Sequence, residues 1–122
     1  MPQSEVIFYR EGDIVPVREW LKKQPIKVQV KCLAYIAQLE AKGYELRRPT
    51  ADYLREGIYE LRPSCHGVNY RILYFFAGKN VVVVSHGLTK EGDVPAVEIE
   101  RAIERKRKFE ADPARHTYKP GK

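Results

Sequence analysis

The sequence predicts an α+β domain in which three strands form a meander and helices pack on one face of the sheet. Two helical patterns near the N-terminus, three consecutive strand patterns joined by short links, and one final helical pattern support this class. A chain of 122 residues has the length of a single domain.

The N-terminal region predicts one strand followed by two helices. Residues 4–10 (SEVIFYR) are β-rich, and Asp13 is expected to cap a first helix through 17–21. Pro25 then begins a second helix, from about Ile26 to Lys42. Apolar residues at i, i+4, i+7 and i+11 predict its buried face: Ile26, Val30, Leu33 and Ala37, with Ile36 beside them.

The central region predicts the sheet. Residues 44–56 have mixed polarity and no clear period, which indicates a loop with at most one helical turn. The strands follow at 58–62, 69–77 and 81–86. The glycine-containing turn 78–80 indicates that the last two strands form an antiparallel hairpin.

The C-terminal region predicts a helix from about Val94 to Phe109, stopped by Asp112-Pro113. We therefore expect one domain over 1–112 and a basic, mobile tail over 113–122. The net charge is +6, and residues 101–122 alone contribute +5 of it. This asymmetry favours a polyanion partner, nucleic acid first and an acidic protein second, although a solubilising tail would look the same.

Several classes of protein are disfavoured by the sequence. The longest apolar run, Ile72–Ala77, is too short to span a membrane, and the N-terminus has no leader pattern. Cys32 and Cys65 are expected to be reduced thiols, which fits a cytoplasmic protein without a membrane partner. Metal-ligand spacings and nucleotide-binding glycine loops are absent from the sequence, so we expect no metal and no cofactor.

Arginines in the predicted sheet are the candidate site. Arg71 lies in the middle strand, where it must either pair, with Glu60 for example, or face an anion on an open surface. Arg62 closes the preceding strand, and His86 and Lys90 follow the last one. Cations and an imidazole at one end of a sheet suit RNA cleavage by its own 2′-hydroxyl, which requires charge stabilisation and proton transfer but no metal. Tyrosines could stack on bases there or belong to the core: Tyr59, Tyr70 and Tyr118.

Four segments together resemble the RelE/HigB superfamily. They are GIYELR (57–62), YRILYFF (70–76), VVVVSHG (81–87) and the helical segment 98–105, and the chain is most similar to the phage-derived HigB-like branch. The resemblance implies a compact RelE-like domain with a twisted antiparallel sheet, two N-terminal helices and a C-terminal helix.

The resemblance also implies a function. Such proteins are toxins of type II toxin–antitoxin pairs, and many cleave messenger RNA on the ribosome without a metal. The implied partners are an antitoxin, the ribosome with its message, and operator DNA only as part of the toxin–antitoxin complex. The expected catalytic residues are Arg71, Arg62, Lys90 and His86. The residues expected to contact RNA are His66, Tyr70, Arg105, Lys106, Arg107, Lys108 and Tyr118.

The chain departs from the family pattern after His86-Gly87. Relatives have a phenylalanine and two lysines there, whereas this chain has Leu88, Thr89 and Lys90. One charge-assisted contact is therefore missing, which leaves enzymatic activity open. The alternative is a phage accessory protein or toxin remnant that binds a partner without cleaving RNA.

Overall fold

The computed structural model describes residues 4–89 and 92–121. Within these ranges the chain forms three helices and seven strands. In chain order they are β1 (Glu5–Tyr9), α1 (Pro16–Lys22), α2 (Ile26–Lys42), β2 (Ala51–Arg55), β3 (Ile58–Leu61), β4 (Ser64–Cys65), β5 (Val68–Ala77), β6 (Val81–Thr89), α3 (Ala96–Ala111) and β7 (Thr117–Tyr118).

The sheet is mixed, with strand order β2-β3-β5-β6-β1-β7 and β4 paired to β5. Most neighbours are antiparallel, but β1 runs parallel to β6, with Val6 opposite Val82 and Phe8 opposite Val84. The predicted α+β class, with two N-terminal helices and one C-terminal helix, is confirmed. The parallel pair consists of the opening strand β1 and the last strand of the meander, β6.

Both faces of the sheet are covered by helices. Along β5, Ile72 and Tyr74 face the cluster formed with α1 and α2, whereas Leu73 and Phe75 face the cluster formed with α3. The prediction that all helices pack on one face was wrong. A strand with apolar side chains on both faces needs cover on both sides, and the C-terminal helix supplies the second layer.

The region 44–56 contains a strand, so the prediction of a loop was wrong here. Strand β2 pairs with β3 along one edge of the sheet, with Asp52 opposite Glu60 and Tyr53 opposite Tyr59. Most side chains of this edge strand are half-buried or exposed, which explains its mixed polarity. The link is the two-residue turn Glu56-Gly57, with positive φ values of 51° and 84° that suit a type I′ hairpin turn.

The bounds of α2 match the prediction, but its predicted buried face does not. Ile26, Val30 and Leu33 are exposed, and so is Ala37. The face that packs on the sheet instead consists of Val28, Cys32, Ile36 and Leu39. The helix therefore has two apolar faces, and periodicity alone selected the one that points away from the sheet.

The start of α1 and the conformation of the C-terminal segment also differ from what the sequence predicts. Helix α1 begins at Pro16 after Val15, with no side-chain cap from Asp13. Residues 113–118, expected in a mobile tail, form a short 3₁₀ turn and β7, which pairs with β1. Burial of His116, whose Nδ1 lies 2.8 Å from the Arg10 carbonyl oxygen, anchors this segment.

The state of the two cysteines agrees with the sequence. Cys32 and Cys65 are free thiols, and burial raises the pKa of Cys32 to about 11. Among the helices that the structure describes, none is long and apolar enough to cross a membrane.

Candidate functional site

A polar cavity of about 550 Å³ opens on the α3 side of the sheet, between the β2–β3–β5 surface and the N-terminal end of α3. Arginines and carboxylates dominate its lining: Arg48, Asp52, Arg55, Glu60, Arg62, Arg71 and Asp93, together with Leu54, Asn69, Gly92, Val94 and Ile99. The cavity brings together two of the predicted catalytic residues, Arg62 and Arg71.

Glu60 is shared by these two arginines. Its Oε1 lies 3.4 Å from Arg71 Nε, and its Oε2 accepts a hydrogen bond from Arg62 Nη1. Glu60 and Arg71 are buried, whereas the Arg62 side chain is 24% exposed. Two guanidinium groups on one carboxylate leave one positive charge in excess, in a place where an anion can reach it.

Arg71 is both paired and part of the cavity wall, so the two alternatives left open by the sequence occur together. Burial lowers the pKa of Arg71, and the nearby charge of Arg62 adds to this, while Glu60 opposes it. An arginine remains protonated at neutral pH despite such a shift. One of its Nη1 hydrogens is donated to the Tyr70 carbonyl oxygen at 2.7 Å, which fixes the guanidinium plane.

The region predicted as a loop supplies two further arginines, Arg48 in the turn before β2 and Arg55 at the end of β2. Arg48 makes hydrogen bonds to Asp52 at 2.8 Å, and this contact holds the pKa of Asp52 below its usual range. Arg55 pairs with Glu56 and, at 3.6 Å, with Glu100 of α3. Neither arginine was predicted from the sequence, although the X-Gly link at 56–57 between two short strand patterns was a signal for the hairpin that carries Arg55.

His86 lies outside the cavity, beneath α3. Its Nε2 is 3.0 Å from Glu98 Oε1, and its Nδ1 is 3.0 Å from Arg105 Nη1 and 2.7 Å from Ser85 Oγ. Burial lowers the pKa of His86 to about 4, with Arg105 contributing, so the imidazole is neutral at pH 7. The arginine can only donate, which assigns Nδ1 as an acceptor and the Nε2 hydrogen to Glu98.

A β-bulge in β6 sets the direction of His86. Leu73 pairs with His86 and Tyr74 pairs with Val84, so Ser85 is an extra residue without a partner in this register. Strand alternation would otherwise place His86 on the face covered by α1. The bulge turns it towards α3, and no sequence signal marks it.

The predicted RNA-contacting residues are scattered over the molecule. Tyr70 is buried on the face opposite Arg71, with its ring edge-on to Trp20. It cannot stack on a base there, so that prediction is corrected. Tyr118 lies on β7, at the sheet edge remote from β2, stacked on Phe8. His66 is exposed in the β4–β5 turn with φ of 52°.

Three of the four predicted basic residues of α3 pair with carboxylates within the molecule, and the fourth, Arg105, is held by other contacts. Lys106 pairs with Glu110 at 3.0 Å, Arg107 with Glu104, and Lys108 with Glu11 at 3.4 Å. Arg105 contacts His86 and lies over the Tyr9 ring. These contacts weaken the case for α3 as an RNA-binding surface. The fourth predicted catalytic residue, Lys90, lies outside the described residues.

A larger cavity, of about 710 Å³, lies between residues 10–13 and the C-terminal end of α3. Its charged lining is balanced, with Arg10, Lys108 and Arg115 against Glu11, Asp13 and Asp112. It therefore has no clear charge preference. In the part of the chain that the structure describes, no three histidine, cysteine or acidic side chains form a group suited to a metal ion.

The fold and the cavity define a small α+β domain with an arginine-lined site on its sheet. The family model of phage-derived Gp49-like proteins (DUF891) matches residues 19–107, from α1 to α3, and includes every charged residue of the cavity. The chain therefore belongs to the phage-derived Gp49-like family, which is toxin-like. No curated protein matches the chain significantly.

Proposed function

We propose that this protein is the toxin of a type II toxin–antitoxin pair and cleaves messenger RNA on the ribosome without a metal. One observation carries the proposal: Arg62 and Arg71 share Glu60 in the wall of an open polar cavity. Membership of a toxin-like family supports it.

The reaction is the attack of a 2′-oxygen on the adjacent phosphate. The 2′-oxygen forms a bond to phosphorus as its proton leaves, and the bond from phosphorus to the 5′-oxygen breaks as that oxygen takes up a proton. Negative charge grows on the phosphoryl oxygens, and the guanidinium groups of Arg62 and Arg71 would stabilise it through charge-assisted hydrogen bonds.

Proton transfer is assigned to a carboxylate of the cavity. Among the described residues that line it, Asp52, Glu60 and Asp93 can accept a proton, and no histidine or tyrosine is present. The sequence suggested His86 for this role, but its imidazole is buried between Glu98 and Arg105. In this proposal His86 holds α3 on the sheet.

The partners follow from the proposed function. An antitoxin would silence the protein, the ribosome would present its message, and operator DNA would be bound only by the toxin–antitoxin complex. All of these partners are cytoplasmic. Expression in a bacterial host with and without the adjacent small gene tests the pairing, because growth arrest should occur only without it.

The central experiment adds purified protein to ribosomes translating a defined message and maps new 5′ ends. We expect cuts with a 5′-hydroxyl and a 2′,3′-cyclic phosphate, and no cut where a 2′-deoxynucleotide replaces the scissile nucleotide. Arg62→Gln and Arg71→Lys should each lower the rate by about 100-fold or more. Lys119→Gln is the charge control, since this exposed lysine pairs with Glu5 at 3.5 Å, near the sheet edge remote from β2 and the cavity, and its loss should leave the rate unchanged.

Intact messages at every ratio of folded protein to ribosomes would contradict the proposal. They would favour the second candidate, a binding module of the same fold that does not cleave RNA. Two observations favour that candidate: the described lining of the cavity has no histidine or tyrosine, and the sequence has one lysine after His86-Gly87 where relatives have two.

A further inference from the structure

The outward face of α2 is an apolar stripe with nothing packed on it in the described chain. It consists of Ile26, Val30, Leu33 and Ala37, and we call it the α2 stripe. The first three are 71%, 62% and 50% exposed. Their spacing places them in one row along the helix, and single scattered apolar residues on a surface would not form such a row.

The charged residues that α2 itself places beside the stripe are all positive over its length. Lys27 and Lys31 flank it, and the first acidic residue of the helix is Glu40. Within the described residues, neither lysine has a carboxylate within 4.0 Å, in contrast to the paired cations of α3. This surface therefore has unneutralised positive charge next to exposed apolar side chains.

The stripe continues into a shallow groove of about 290 Å³. Leu33 is shared between the stripe and the groove, and Phe8, Leu21 and Tyr118 add apolar lining. Arg18 and Lys22 line its side. Arg18 is positioned over the Tyr118 ring, and Lys22 lies 3.9 Å from the Glu19 carboxylate. The groove extends the same chemistry, an apolar floor with a basic rim, across α1 to β7.

We propose that the α2 stripe and this groove dock an acidic amphipathic helix of a partner protein. Such a helix would place apolar side chains against Val30 and Leu33 and carboxylates near Lys27 and Lys31. The inference rests on the proposed function only in naming the antitoxin as the protein that supplies the helix. Acidic side chains complement this rim, whereas a second copy of the chain would bring lysine against lysine.

The docking surface and the arginine-lined cavity lie on opposite sides of the sheet. Helix α2 packs on the face of Ile72 and Tyr74, and the cavity is on the face of Arg71. A substitution in the stripe can therefore be tested for partner binding without touching the cavity.

The experiment uses the full chain and a synthetic helical peptide with leucines at i, i+4, i+7 and i+11 and glutamates beside them. Calorimetry measures binding, and amide chemical shifts locate it. We expect the peptide to shift α2 signals and to bind about tenfold or more weakly to Val30→Asp and Leu33→Asp. Val97→Asp is the matched control, because Val97 is equally exposed on α3 and should keep full affinity.

Three outcomes would overturn the inference. One is equal binding of a scrambled peptide of the same composition, and another is peptide-induced shifts confined to the cavity around Arg71. The third is a concentration-dependent dimer, abolished by Val30→Asp, which would assign the stripe to self-association.

The ribosome assay on Val30→Asp separates this inference from the proposed function, since message cleavage should be unchanged whether or not the peptide binds.

Discussion

Glu60 and Arg71 meet across neighbouring strands, with Arg71 Nε 3.4 Å from Glu60 Oε1. Glu60 is directly opposite Leu73 in the register of β3 and β5, so Arg71 is its diagonal neighbour on the α3 face of the sheet. The same carboxylate also accepts from Arg62. Glu60 therefore controls how much positive charge the cavity offers to an anion.

The first prediction is that Glu60→Gln binds RNA more tightly but is less stable. Removing the negative charge raises the cavity charge by one, and we expect about threefold to tenfold tighter binding of a short RNA at low salt. A neutral amide accepts the Arg62 hydrogen bond less strongly than a carboxylate and loses the ion pair with Arg71, so the free energy of unfolding should fall by about 1–3 kcal/mol. Fluorescence anisotropy and chemical denaturation measure the two effects.

Glu104→Gln is the control for this charge change. Glu104 pairs with Arg107 on the exposed surface of α3, where such pairs contribute less than about 1 kcal/mol. It should change neither affinity nor stability appreciably. Equal RNA affinity of Glu60→Gln and the unmodified chain would show that the cavity is not the RNA site.

The second prediction concerns the loss of folding stability at acidic pH. The pKa of His86 is lowered to about 4, whereas an unfolded chain binds that proton near pH 6.5. Above pH 6.5 His86 is neutral and its contribution to stability is fully present. As the pH falls from 6.5 towards 4, this contribution is lost, and the free energy of unfolding decreases by about 3 kcal/mol at most. His86→Gln should flatten this part of the stability curve, measured by denaturation at each pH. Parallel curves for the two proteins between pH 4 and 6.5 would refute the assignment.

The sequence predicted the helices, the main strands and the central arginines because periodicity and turn residues are local signals. It did not predict which apolar face of α2 is buried, since Ile26 and Val28 are equally apolar and only the sheet decides between them. Nor did it predict the position of His86, which depends on the bulge at Ser85. Arg55 was missed because an edge strand has weak alternation, and Arg48 because it lies in the turn before that strand.

The third prediction is that Gly87→Ala destabilises the fold. A Cβ at position 87 would lie 2.3 Å from Trp20 Cε3. The backbone φ of Gly87 is outside the left-handed region, so the close approach of Trp20, and not the backbone conformation, requires a glycine here. The indole ring must shift, and we expect a loss of about 1–3 kcal/mol. Thermal denaturation of Gly87→Ala, Trp20→Val and the double variant tests the contact, because the second substitution should remove most of the cost of the first. Additive losses would place the strain elsewhere.

The fourth prediction is that residues 113–118 belong to the folded domain. His116 is buried, stacks on Tyr9 with ring centroids 5.1 Å apart, and bonds to the Arg10 carbonyl oxygen, while β7 extends the sheet next to β1. A chain ending at Asp112 exposes the Tyr9 ring and the edge of β1, so its melting temperature should fall by several degrees.

A chain ending at Tyr118 keeps these contacts and is the matched control. Among the described ion pairs it loses the exposed one between Lys119 and Glu5, 3.5 Å apart, and it should melt within about a degree of the full chain. Equal melting temperatures for the two truncations would mean that residues 113–118 contribute nothing to the stability of the domain.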